Sequence, residues 1–578
     1  MQNTSAWRIL QRVYGLLNSS ERRRAAGLLA AVLVNSVVDL LGLAVVIPVI
    51  GLVLEPDLLV SNEWLAAVYD FAAAHRWGGE RRFTAALCGV LVGAFLFKTV
   101  FGLWVNYLQT RFSFRIAHRM SGDLWMHHFS DSLEKLRSKE SGRLLTEINS
   151  WPILFARVFI TGGQLYFNEL VVMALLAIGL TAYDPVVFLG VAGIIGTGAV
   201  LIRTLTKRQL VRNSETVRTL APHTSSLVNN AIRGFLELIT FRAVRNVRDR
   251  YLIQTNKLYR THSNQMVLSL VPNRLYELLV VAALCGLIVI GLGWSNEMGG
   301  SREAFFATLS LLALSAYRVM PAMARINARM IAMRGQLHLL DAMESGTGGD
   351  WNATATAPSE LAQPIGIEVR DLNLRYSTST APVVHGLNFR FEPGTITAIT
   401  GTSGSGKSTL VSALLGLHAP ESGSVWVGDQ ELGSSTLSVQ TWLSHVAYLA
   451  QHPFLFAGTL RENLTLGDDA AVLDEARIVS LIDRLGLAEA LGTSPMDFVL
   501  NEGGSNLSGG QQQRLALVRA LQWSRPVLVL DEATSSLDTG MRDAVMGVLE
   551  EEASRGTTVL LVTHDEAIAS DAQCLRLG

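Results

Sequence analysis

Between residues 25 and 326 the chain alternates long apolar runs with polar stretches, and the apolar runs have one recurring length. Six of them, roughly Ala25 to Leu54, Phe83 to Leu108, Phe159 to Ala182, Val186 to Ile202, Val267 to Trp294 and Ala304 to Ile326, come near or exceed the roughly 20 residues that a helix needs to cross the hydrocarbon of a bilayer. The pattern predicts six transmembrane helices. Ahead of them, Trp7, Leu10, Val13 and Leu17 recur at helical spacing, which predicts an amphipathic helix lying on the inner leaflet. Past residue 365 the pattern changes to short strands, glycine-rich turns and helices. The stretch from Gly346 to Pro364, GTGGDWNATATAPSELAQP, reads as a linker. This divides the chain into a transmembrane domain with its N-terminal interfacial helix (1–345), a linker (346–364) and an α/β domain (365–578).

Charge orients the helices. Arg111, Arg115, Arg119, Lys135, Arg137, Lys139 and Arg143 fall between the second and third runs, and Lys207, Arg208, Arg212, Arg218, Arg233, Arg242, Arg245, Arg248 and Arg250 between the fourth and fifth. Cytoplasmic loops carry this excess, so both stretches, both termini and the α/β domain belong inside. Composition agrees: 49% of the 578 residues are hydrophobic and 17% charged, as suits a chain partly dissolved in lipid. A formal net charge of −1 gives no electrostatic footprint for nucleic acid. Cys88, Cys285 and Cys574 are too far apart to suggest a disulfide framework or a zinc site.

The α/β region carries the chemistry. Gly401-Thr402-Ser403-Gly404-Ser405-Gly406-Lys407-Ser408, followed by Thr409, fits G-x-x-x-x-G-K-[ST] after the apolar run Ile396 to Ile399. Backbone amides of such a loop cradle phosphates, the lysine reaches the β/γ oxygens and the hydroxyl ligates Mg²⁺. Val527 to Leu530 reads as a strand buried on both faces and ends in Asp531 and Glu532. One carboxylate there can serve Mg²⁺ and the next an attacking water. Leu507-Ser508-Gly509-Gly510-Gln511 opens a helix whose positive end suits a phosphate, and Ser535-Ser536-Leu537-Asp538 closes the run as a turn.

In this order and spacing the motifs resemble the ATP-binding cassette (ABC) family: Walker A at Gly401–Thr409, signature at Ser508–Gln511, Walker B at Asp531, D-loop at Asp538. The resemblance implies a P-loop ABC ATPase fold joined to an exporter-type membrane domain of six helices with long cytoplasmic extensions. It implies Tyr376, 25 residues before Gly401, as the aromatic that stacks on adenine. Gln451 becomes the Q-loop glutamine, His564 the switch histidine, and Glu532 the general base. Catalysis thus falls to Glu532, His564 and Gln451, and Mg²⁺ with its ATP to Ser408, Gln451 and Asp531. Each site in the family is shared between the Walker A loop of one domain and the signature of another. One copy is therefore half a machine, and a homodimer is the simplest closed arrangement, a heterodimer with a different half being the alternative. In exporters the cytoplasmic excursions turn in short coupling helices, for which Ser138 to Glu147 and Ser225 to Arg233 are the candidates. The chain ends fourteen residues after His564, where the family usually continues, so either the C-terminal edge is unusually bare or the sequence is cut short.

More locally, Asp39-Leu-Leu-Gly through Ile47-Pro48, Pro272 to Glu277 and Tyr317 to Pro321 look like the bacterial flippases of lipid-linked oligosaccharides. By that resemblance the protein is a multi-pass inner-membrane translocase moving a lipid-linked or similarly amphipathic pyrophosphate lipid outward by alternating access. Multidrug or peptide export is the alternative. Ser61 to Arg76 would be an external helix or an ordinary loop. Ionisable residues within the spans are functional candidates, and Arg318, Arg325, Arg274 and Lys98 are the candidate substrate contacts. Arg318, Arg325 and Arg329 share one helical face within about 40°. Against this, Arg274 stands three residues before Glu277 and the two can neutralise one another. A Lys98–Asp39 pair is not expected, because residue counting sets the two roughly 10 Å apart in depth.

Overall fold

The computed structural model describes the chain except residues 1–4, 55–79, 131–138, 140, 184, 295–301, 347–360, 362, 377–380, 469–471, 534–536, 566–567, 569–571 and 578. Within 40–54 and 302–318 it describes the helix backbone alone. The external segment 61–76 and most of the linker lie outside the described residues. Two compact units divide the chain, one of residues 1–131 and 138–349, the other of residues 132–137 and 350–578.

The first unit is helical. Helix α1 (Ala6–Gly15) is followed by α2 (Ser19–Leu54) and α3 (Glu80–Phe129). The next helical stretch runs through α4 (Ser141–Leu145) and α5 (Trp151–Phe155), each followed by a π-helical turn, into α6 (Gly162–Tyr183). Then come α7 (Pro185–Arg233), α8 (Phe235–Thr240), α9 (Val244–Trp294), α10 (Arg302–Gly335) and α11 (Leu337–Gly346). All six apolar runs lie in helices. With 50, 49 and 51 residues, α3, α7 and α9 are each about 75 Å long at 1.5 Å per residue, well beyond a bilayer's hydrocarbon. Among the described residues, Ala85–Phe129 and Gly142–Gly179 are by length and composition apolar enough to span a membrane.

The first of these helices differs from expectation. Helix α1 starts at Ser5, whose side chain accepts from the Arg8 amide, and turns Ile9, Val13 and the following Leu17 into protein. They join a core with Phe112, Ile116 and Met120 of α3, Phe155 of α5, and Leu339, Leu340 and Met343 of α11. Trp7 is exposed instead. Arg12 fixes the orientation: its Nε donates to Glu344 Oε1 at 2.7 Å and its Nη2 to Asp341 Oδ1 and Glu344 Oε2 at 2.6 Å. The carboxylates of α11 hold the Arg12 guanidinium above its ordinary range, against the opposing effect of burial. Of the face read from periodicity, Val13 and Leu17 are buried against protein, Trp7 is exposed, and Ile9 takes its place.

The second candidate coupling segment is not a separate helix. Ser225 to Arg233 carries no helix breaker and simply completes α7; the chain breaks at Gly234 and forms α8 over Phe235–Thr240. Phe235, Leu236, Ile239 and Phe241 are exposed there. The first segment is α4 with its π turn. A Cβ on Gly142 would come within 2.6 Å of the Ser226 amide nitrogen, so only glycine allows α4 to approach α7 this closely.

The second unit holds three sheets. β1 (Ile367–Leu374) lies between β2 (Val384–Phe391) and β4 (Ser422–Val427), with β5 (Gln430–Glu431) at the edge, all antiparallel. The second sheet is parallel, in the order β11 (Gln573–Leu577), β3 (Ile396–Gly401), β10 (Thr558–Val562), β9 (Val527–Asp531), β6 (Val446–Leu449). A hairpin of β7 (Gly458–Thr459) and β8 (Val499–Leu500) completes the set. β9 and β10 are buried at every position, as a parallel sheet covered on both faces requires. Helices α12 (Lys407–Leu414), α13 (Gly509–Gln522) and α14 (Thr539–Ser554) follow the motifs.

The position of α1 yields a prediction that separates docking on protein from docking on lipid. Ile9→Ala, at a fully buried site, should cost about 2–4 kcal/mol in detergent unfolding. Trp7→Ala, at a site 69% exposed, should cost less than about 0.5 kcal/mol. A helix held by lipid would reverse that order.

Candidate nucleotide site

Register builds the site. Val562 of β10 pairs with Ile399 of β3 on one side and with Asp531 of β9 on the other, and Leu449 of β6 pairs with Leu530. The four strands therefore end at one level. The 401–406 loop, Gln451, Glu532 and His564 all leave from their carboxyl ends, where open α/β sheets bind ligands.

The loop after β3 is shaped by glycine where glycine is needed. Gly404 and Gly406 have φ of 86° and 96°, in the left-handed region that costs other residues strain. A Cβ on Gly401 would meet both Leu577 O and Ser405 Oγ at 2.6 Å. Lys407, buried, donates from Nζ to the carbonyls of Gly401 at 2.9 Å and Thr402 at 3.0 Å, so its ammonium lies folded over the loop. Ser405 Oγ is buried without a partner. An ammonium over a glycine cradle and an orphaned hydroxyl make a donor set that fits phosphate oxygens. Ser408 is exposed beside it, next to the buried Thr409.

Opposite stand the carboxylates. Asp531 is buried, and its carboxyl is pushed up from the usual range first by burial and then by the Glu532 charge, with Lys407 pulling the other way. Glu532 takes a left-handed φ of 56°, a conformation costing a non-glycine residue of order 1–3 kcal/mol. Its amide donates to Val562 O at 3.0 Å. Its side chain is then held from two strands: Gln451 Nε2 donates to Oε2 at 2.7 Å, and His564 Nε2 lies 3.3 Å from Oε1. The structure thus brings Gln451, Glu532 and His564 together as one contact group.

The other candidates occupy defined places. Tyr376 gives its hydroxyl to a 2.9 Å contact with Thr409 Oγ1 and sets its ring edge-on to His418 at 5.3 Å. Ser508 caps α13, accepting from the Gln511 amide while the Gln511 side chain accepts from the Ser508 amide at 2.8 Å. Asp538 caps α14 through the Met541 amide. Thr402, Ser403 and Gly404 are exposed along the loop, as are Ser508 and Gly509 at the helix start, with Gly510 half-buried. Ser535 and Ser536 lie outside the described residues.

Sequence reasoning missed the residues that hold these pieces in place. Gln512 donates to the carbonyls of Gly504 and Leu507, bracing the turn before the signature. Arg514 donates to Leu485 O at 2.8 Å, and Arg519 to Phe454 O at 2.7 Å, three residues beyond Gln451. Burial lowers the Arg519 guanidinium from its ordinary range. The available signal was polar residues spaced along an otherwise apolar helix, LALVRALQ, which periodicity alone assigns to solvent.

In the helical unit the four candidate substrate contacts fare differently. Lys98 Nζ lies 3.2 Å from Asp39 Oδ1, so the unexpected pair does form. Depth had been counted from the ends of apolar runs, whereas the helices run on past them. Arg274 Nη1 donates to Glu277 Oε2 at 3.0 Å. Arg325 grips Glu169 in a fork, Nε to Oε1 at 2.5 Å and Nη2 to Oε2 at 3.1 Å. Arg318 is in α10, its side chain outside the described residues.

Residues 384–535 match the family model described as ABC transporter. Over 218 residues the chain is 39% identical to the mycobactin import ATP-binding/permease protein IrtB of Mycolicibacterium thermoresistibile, covering 36% of this chain and 34% of that protein. It is 37% identical over 213 residues to the ABC transporter BEA3 of Gibberella fujikuroi, covering 36% and 16%. The matched stretch thus spans about a third or less of these relatives. Against a solved bacterial Atm1-family ABC exporter with ATP bound, the likeness covers 97% of this chain and 94% of the other, with a TM-score of 0.77 and 18% identity. Residues 384–535 therefore match the ABC transporter family, and the chain as a whole has the fold of a solved exporter of that family.

Proposed function

We propose that this chain is one half of a homodimeric exporter that hydrolyses ATP to move an amphipathic substrate across a membrane. The observation that carries the ATPase reading is the Glu532 carboxylate, held between Gln451 and His564 beside the buried Asp531 at the mouth of the 401–407 loop. Lys407 exchanges its two loop carbonyls for β/γ-phosphate oxygens when ATP binds. Ser408, Asp531 and Gln451 would hold magnesium, which would neutralise phosphate charge. Glu532 accepts the proton of the attacking water, and His564 and Gln451 keep its two oxygens in place. Tyr376 presents its ring to adenine, and Ser508 to Gln511 complete the site of a second copy. Opening and closing of that composite site biases the helical domain between two states.

For the cargo, the reading is a lipid-linked oligosaccharide or a similar pyrophosphate lipid in the bacterial inner membrane. The guanidinium fork of Arg318 suits phosphate oxygens, and an arginine in hydrocarbon is costly unless it meets an anion or water. A second reading, multidrug or peptide export, is favoured by a specific observation: Lys98, Arg274 and Arg325 each already have a carboxylate partner. The relatives' printed names, mycobactin import and ABC transporter, leave room for it.

Reconstitution in liposomes tests both levels. Glu532→Gln should still bind ATP yet lose roughly a hundredfold or more in hydrolysis; hydrolysis near the wild-type rate removes the general base. Arg318→Ala should cut ATP-dependent translocation of a pyrophosphate lipid about tenfold while leaving basal hydrolysis within about twofold. Undiminished translocation moves the assignment to the drug or peptide exporter.

The metal role has its own check. Because the Asp531 carboxyl is held above its usual range, the folded domain binds that proton more tightly than the unfolded chain. Its stability without nucleotide then falls as pH rises from the usual carboxylate range through the raised one. Asp531→Asn should therefore raise the nucleotide-free melting temperature near pH 7 by about 2 °C or more and abolish the upward shift that Mg-ATP gives the wild type. A variant that melts lower without nucleotide, or that keeps the Mg-ATP shift, contradicts the assignment.

A further inference from the structure

Among the described residues, four histidines gather around one cavity away from the nucleotide loop. A cavity of about 920 Å³ in the helical unit is lined by His127 and His128 of α3, Lys139 and Arg143 of the following hairpin, His223 of α7 and His338 of α11. Four of the chain's twelve histidines thus converge from three long-range elements, and the volume is that of a small-molecule site.

The wall's acidic groups are already spoken for. Glu147, buried, accepts from Arg143 Nε at 2.7 Å and lies 3.0 Å from His128 Nε2. Asp341 is bonded to Arg12 at 2.6 Å. Lys139 Nζ sits 3.2 Å from His128 Nδ1. Lys139 and Arg143 balance Glu147 and Asp341 in fixed charge, so the lining turns cationic as its imidazoles take up protons. Arg143 commits its Nε to Glu147 while its side chain stays 59% exposed. A guanidinium has five N–H donors. Trp151, also in the wall, stands edge-on to His338 with centroids 5.8 Å apart and adds a flat apolar face.

Two ligand classes suit imidazoles: transition metals and anions. Among the described residues no group of three His, Cys, Asp or Glu is arranged to hold a metal ion. The fixed cations Lys139 and Arg143 in the same wall would also repel one. We infer that this cavity is a binding site for a soluble anion carrying two or more phosphates, of nucleotide size, held by Arg143, His223 and His338. Such a ligand bridges the 141–150 segment, α7 and α11, the first two of which already meet at Gly142 and Ser226. It therefore sets the spacing of the cytoplasmic helices independently of the nucleotide loop.

The test uses the full-length chain in detergent, carrying Lys407→Ala to weaken phosphate binding at the 401–407 loop, with inorganic tripolyphosphate as the calorimetric probe. Saturable binding near one site per chain is expected. Its Kd should rise roughly tenfold with Arg143→Gln and a few-fold with His223→Gln. His223 is exposed, so its replacement leaves the fold intact even if loss of the Arg143–Glu147 bond does not. Binding should tighten a few-fold from pH 8 to pH 6, because the bound anion, with Glu147 and Asp341, favours protonated His127, His223 and His338 against the repulsion of Lys139 and Arg143. Absence of saturable binding, or a Kd that neither His223→Gln nor pH moves, overturns the assignment.

Discussion

The constraint on which the ATP-binding domain depends is that four apolar strands must end at the same level. Val562 aligned with Ile399 and Asp531, and Leu449 with Leu530, leave the chain no freedom about where the next residue emerges. Strands buried on both faces tolerate no slip, since a one-residue shift would exchange every side chain between the two packed faces. The polar groups at their ends gain their precision from this rigidity. Glu532 takes a left-handed backbone conformation and is still held, because the amide that would be lost to strain is bonded to Val562.

Much of this domain was legible beforehand because its chemistry is written in short segments. The loop from Gly401 to Ser408, the strand ending at Asp531 and the capping pair Ser508–Gln511 each fix a local conformation through their own residues. The contact of Glu532 with Gln451 across 81 residues and with His564 required the sheet, yet it follows once the strands are recognised as parallel. Arg519 and Arg514 were not legible. Their partners are backbone carbonyls, which carry no sequence signature.

In the helical domain the hydrophobic pattern located the six long helices but neither the short α8 and α11 nor the contacts between them. Periodicity says which face of a helix is apolar and leaves open whether lipid or protein covers it. Helix α1 was therefore assigned to the leaflet although Ile9 and Val13 are buried in protein. Depth was the second weakness. Counting from the edge of an apolar run separates Lys98 from Asp39, whereas helices of up to 51 residues cross the same plane at points set by packing. The paired charges that result, Lys98–Asp39 and Arg325–Glu169, follow a general rule: removing one partner of such a pair costs far more than the pair contributes.

The Arg12 clasp on Asp341 and Glu344 has a consequence for biogenesis. It joins residues 332 positions apart, across almost the entire helical domain. A ribosome delivers the chain from its N-terminus, so α1 exists long before α11 can receive it. During that interval Ile9, Val13 and Leu17 have only part of their eventual core, and the clasp cannot close until α11 has been made. Contacts of such long sequence separation are the slow ones in folding. Closure of the clasp therefore needs both ends of the helical domain to be in place.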